Sequence, residues 1–100
     1  MLVEFVVTSG RSEQGRSWTR LAETGAVEER GDGAAPGVPD VTFSATPGDA
    51  TAIAAGDLDL SVGFMRGQVK VAGDPGALLR VLPLVSGRVP ALAAADLLPR

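Results

Sequence analysis

The chain has 100 residues, 12 acids against 9 bases, a formal net charge of −3 and a 45% hydrophobic share, which describes a single folded domain over residues 1–100 with a small core. Only 4% of the residues are aromatic and none is tyrosine, so leucine, valine and alanine must build the interior. With no cysteine, no histidine and no basic stripe interleaved with aromatics, the composition argues against a thiolate metal site, a Ser-His-Asp hydrolase and a nucleic-acid partner.

Leu2–Thr8 alternates, placing Val3, Phe5 and Val7 on one face and Leu2, Glu4, Val6 and Thr8 on the other, the pattern of a strand. Ser9–Arg16 is polar with two glycines and predicts a hairpin loop. Ser17–Glu23 predicts a second strand, with Thr19 and Leu21 opposite a wetter face carrying Trp18 and Arg20; Ala26–Glu29 is short strand material. Gly31–Asp40, rich in glycine and proline, predicts an exposed connection, and Val41–Ala45 a third clear strand.

At Thr46 the period changes. A threonine cap, Pro47 in the first helical position and Asp49 in the first turn open a helix whose inner residues are Ala50, Ile53 and Ala54 and whose stop is Gly56. Asp57–Gly73 is the unit that organises the chain: a short apolar helix with Leu60, Val62, Phe64 and Met65, a hinge at Gly67, and a strand from Gln68 to Ala72. Phe64 and Met65 are expected to face the same interior as Val69 and Val71. Asp74 and Pro75 open a further helix through Ala77, Leu78, Leu79, Val81 and Leu82, with a kink or an end at Pro83. Ala91–Leu98 predicts an extra C-terminal helix.

Asp57, Asp59 and Asp74 stand at helix starts and read as caps rather than as a carboxylate cluster for calcium. Arg66 reads as a solvated arginine in preference to a head-group contact. We expect no catalytic residues, no metal and no cofactor. The aliphatic stretches leave a packed core as the plainest interpretation of every apolar position.

Three segments resemble the sterol carrier protein type 2 family of lipid-transfer domains: Asp40–Ala45, the Gly56–Asp59 step, and the eleven residues from Phe64 to Asp74 with glycines at 67 and 73; Trp18 adds to them. The likeness covers Leu2 to Val85. Gly63 stands where many relatives have alanine, and Gln68 where lysine is common. Relatives begin with a long helix, whereas this chain opens in the first strand, so Val89–Leu98 is expected to cover the same gap in this chain or in a partner.

The resemblance implies an α+β fold, an antiparallel sheet of about five strands with short helices packed on one face. It implies non-catalytic binding or transfer of a lipid, sterol or fatty acyl ligand in an apolar cavity between sheet and helices. The residues expected to line that cavity are Ile53, Phe64, Met65, Val69, Val71, Leu79 and Leu82, with Met65 the most adaptable in shape. The competing expectation is a structural or dimerisation module, a homodimer whose groove is filled by a partner chain. A cytoplasmic location without stable membrane insertion is the default.

Overall fold

The computed structural model describes residues 1–85 and 92–99. A five-stranded sheet runs in the order β3-β2-β1-β4-β5. Its strands are β1 (Leu2–Ser9), β2 (Ser12–Leu21), β3 (Val27–Asp32), β4 (Val41–Ala45) and β5 (Val69–Gly73). The helices are α1 (Pro47–Ala55), α2 (Leu60–Met65) and α3 (Pro75–Val85), followed by a 3-10 turn, Ala94–Leu97, in the C-terminal tail. The expected α+β architecture holds, with one refinement: β1 and β4 pair in parallel while the other neighbours are antiparallel.

The parallel pair follows from the route of the chain. β1, β2 and β3 form a meander, and the segment after β3 returns to the opposite side of β1. Asp40 fixes its arrival, since its carboxylate accepts from the Leu2 amide at 2.8 Å while its own amide donates to the Leu2 carbonyl at 2.8 Å. On the way, the Ala35 amide donates to the carboxylate of Glu4 at 3.2 Å, and Arg16 bonds the other oxygen of that carboxylate at 3.0 Å. Glu4 is thus buried but bonded, as a charge taken from water must be.

Several element boundaries differ from expectation for backbone reasons. The hairpin loop is shorter than Ser9–Arg16, because Ser9 already pairs with Ser12 and β2 occupies most of that polar run. Ladder hydrogen bonds need only main-chain groups, so solvent-facing polar side chains are no obstacle. β3 likewise extends through Gly31 and Asp32, which the sequence suggested were loop. Pro83 lies inside α3 and does not end it. It sits on the exposed outer side of the helix, as does Leu79 one turn earlier, whose carbonyl is the one that a proline at 83 leaves without its helical donor. Of the expected helix at 91–98, Ala91 lies outside the described residues and, of the rest, only Ala94–Leu97 is helical, as a 3-10 turn.

The expected caps are found except at Asp57, which lies in the turn after α1 with its amide donating to the Ala52 carbonyl. Thr46 accepts from the Asp49 amide, Asp59 from the Val62 amide and Asp74 from the Gly76 amide, and Gly56 closes α1 with a positive φ of 82°. The core lies between the sheet and the helices. Val3, Phe5, Val41, Phe43 and Val69 point into it from the strands, Ile53, Leu60, Ala77 and Val81 from the helices. Phe5 and Phe43, partners across the parallel pair, stack with ring centroids 6.2 Å apart.

Candidate functional site

The candidate cavity residues separate into two groups. Ile53 on α1 and Val69 on β5 are buried in the common core, and Val71 and Leu82 pack against it half-buried. Phe64, Met65 and Leu79 do not join them: Met65 is 77% and Leu79 72% exposed, and Phe64 lies at the surface. In α2 the inward positions are Leu60 and Gly63, one turn apart, which turns Met65 outward. In α3 they are Ala77, Val81 and Val85, leaving Leu79 on the far side. The expectation that Phe64 and Met65 share an interior with Val69 is therefore corrected: the residue of α2 facing Val69 is Gly63, where an added methyl would come within 2.9 Å of Val69 Cγ2.

What fills the middle of the helical layer is the tail. Its 3-10 turn packs on α1 and against β1 and β2, and Leu92, Leu97 and Leu98 are buried in the core. Grooves run on both sides of this plug. One of about 430 Å³ is lined by Ile53, Leu58, Leu60, Val85 and the alanines of the tail, the other of about 230 Å³ by Val7, Ala50, Ala54, Leu98 and Pro99. A third, about 680 Å³, lies apart between α3 and the first strands, lined by Met1, Leu21, Leu79, Pro83 and Leu84 with Arg80 and three acids.

Three polar side chains hold the plug, and sequence reasoning singled out none of them. The buried Ser17 hydroxyl donates to the Leu97 carbonyl at 3.0 Å, Thr19 more loosely to that of Asp96 at 3.5 Å, and Arg30 to that of Leu98 at 3.1 Å. The available signal was the alternation of β2, which puts Ser17 and Thr19 on the same face as Leu21, hence in the interior. Among the described residues there is no group of three or more acids that could hold a metal ion, and no helix long and apolar enough to cross a membrane.

A five-stranded sheet with helices on one face defines a small α+β domain. The model of the SCP-2 sterol transfer family matches residues 4–86, and the chain belongs to that family. No curated protein sequence matches it. Among solved structures, the sec-alkylsulfatase Pisa1 of a Pseudomonas species is 26% identical with a TM-score of 0.59, over 90% of this chain but only 13% of the sulfatase. Palmitated SCP2L2 of Aedes aegypti superimposes with a TM-score of 0.66 at 13% identity, covering 87% of this chain and 73% of that one. Apo sterol carrier protein 2 of Yarrowia lipolytica does so at 0.61 and 16%, covering 81% and 60%. The last two are likenesses of fold.

Proposed function

We propose that this chain binds and transfers a lipid, sterol or fatty acyl ligand without converting it, in the apolar space between the sheet and α1. The observation that carries the reading is family membership over residues 4–86 joined to two grooves of mixed lining that meet the same helix. Palmitate on a relative with this fold supports an acyl chain as one ligand. Burial of alkyl surface at about 25 cal/mol per Å² supplies the affinity, with breadth of selectivity as its consequence. The lack of histidine and cysteine, the commonest catalytic base and the most reactive nucleophile, supports a non-catalytic role. Ile53 lines the larger groove and is proposed to touch the ligand, while Val69, Val71 and Leu82 line neither groove and are proposed as the adjoining apolar wall; the cytoplasm is the proposed compartment.

A second reading, a structural or dimerisation module, draws on one observation: a segment of chain already fills the groove. Native mass spectrometry of the purified protein, with and without added palmitate, separates the two. A mass increase of one palmitate supports the carrier. A dimer with no lipid uptake at any palmitate concentration supports the module and overturns the carrier.

A further inference from the structure

The core face of the sheet is apolar except along one strip. Ser17 and Thr19 are completely buried there, and Arg30 stands opposite Thr19 in the β2–β3 ladder. Together they donate to three consecutive carbonyls of the tail, those of Asp96, Leu97 and Leu98. Arg30 differs from its neighbours in what balances its charge. Arg16 pairs with Glu4 and Glu13, and Arg20 with Glu29, whereas among the described residues no carboxylate lies within 4 Å of Arg30. A half-buried guanidinium is thus matched only by a neutral carbonyl, whereas a carboxylate would add the pairing of opposite charges to that hydrogen bond.

The tail therefore presents to this strip a neutral counterpart of an amphiphile. Its carbonyls meet the donors, and Leu92, Leu97 and Leu98 fill the apolar space beside α1. A fatty acid offers the same two halves, with a charged carboxylate in place of the carbonyls. Exchanging one for the other keeps an acceptor in front of these donors, so their desolvation is not added to the cost of lifting the tail's leucines out of the core. It also joins the two grooves, which the tail now separates and which share Ala54.

Building on the lipid-carrier reading above, we propose that residues 92–99 occupy the site of a single-chain fatty acid. On displacement of that segment, Arg30 and its cross-strand neighbour Thr19 anchor the ligand carboxylate, with Ser17 next along the strand. The apolar wall then gives affinity for any alkyl chain, and the strip gives preference for an anionic head.

The test compares palmitate with hexadecanol, which has the same chain length and an uncharged head, by equilibrium binding to the whole protein, with amide hydrogen exchange followed in the tail. Palmitate is expected to bind about tenfold more tightly than hexadecanol, one charge-assisted contact being of that order. Arg30→Gln should collapse the ratio toward unity, and palmitate should accelerate exchange at the Asp96 and Leu98 amides. Thr19→Val, close to isosteric, should lower the ratio in the same direction and serves if the arginine variant fails to fold. Equal affinity for the two probes in the unsubstituted protein overturns the anchor, and tail amides that stay protected while palmitate binds overturn the displacement. If neither probe binds, the carrier reading itself falls, which is a separate outcome from loss of head-group preference alone.

Discussion

Trp18 and Gly31 are partners across the β2–β3 ladder, and the indole lies so close to the glycine that an added methyl would come within 2.7 Å of Nε1. The side chain thereby covers a position where the neighbouring strand offers none, a known means of protecting an edge. The first prediction concerns this contact. Gly31→Ala should displace the indole and cost about 1–3 kcal/mol as an overpacking change. Trp18 is the only tryptophan, so its emission reports the shift directly. Unchanged emission and an unchanged urea midpoint would show that the ring does not rest on Gly31.

The bond from Ser17 to the Leu97 carbonyl joins residues 80 apart in sequence and sits in the interior. Ser17→Ala should cost about 1–3 kcal/mol, because it leaves a buried carbonyl unpartnered. Leu97→Ala should cost about 2–5 kcal/mol through the cavity it opens. Urea denaturation measures both. If Leu97→Ala changes stability by less than about 0.5 kcal/mol, as a surface substitution would, the tail is not part of the core.

A third prediction concerns Glu4, which holds the segment crossing from β3 to β4 through the Ala35 amide and is itself held by Arg16. Glu4→Ala should cost about 1–3 kcal/mol by orphaning the Ala35 donor, and Glu4→Gln, which keeps an acceptor, should cost less. The Arg16 pKa is raised, first by its side-chain hydrogen bond to Glu13, with smaller contributions from the charges of Glu4 and Glu13 against the opposing effect of burial. A raised folded-state pKa gives stability that is complete below the unfolded value and lost only as pH rises through the folded one. For an arginine that window is strongly alkaline. The stability difference between Glu4→Gln and the unsubstituted protein should therefore be flat from neutral to mildly alkaline pH in parallel urea titrations; a slope there would mean that Arg16 is not the group involved.

The strands that face the helices were legible because burial on one face imposes alternation, as Val3 and Phe5 or Val69 and Val71 show. β3 was legible only in part: Val-Glu-Glu-Arg-Gly-Asp is an edge strand whose side chains mostly meet water, so no apolar period marks its end. The parallel partnership of β1 and β4 has no local signature, since pairing direction is set by the route of the intervening chain. The facing of α2 was hidden for another reason. A six-residue helix fixes no stripe, and the sign that Gly63 marked the close approach lay in the lack of a side chain. Of the tail expected to act as a cover, Val89–Leu98, residues 89–91 lie outside the described residues and the rest packs in the helical layer; its anchors, single hydroxyls and a guanidinium, have no motif around them.

The two groups of candidate residues lead to the last prediction. Ile53 is buried beneath α1, and Ile53→Ala should cost about 2–5 kcal/mol of stability. Met65→Ser and Leu79→Ser, on the exposed sides of their helices, should each change stability by no more than about 0.5 kcal/mol. The binding consequences separate differently. A ligand lodged beneath α1 touches Ile53 and not Met65, so a milder variant, Ile53→Val, should alter palmitate affinity measurably at a stability cost of about 0.5–1.5 kcal/mol. Titration with palmitate under conditions where every variant is folded decides the matter. If Met65→Ser weakens uptake while Ile53→Val does not, the alkyl chain lies along the outer face of α2, and the space beneath α1 is ordinary core.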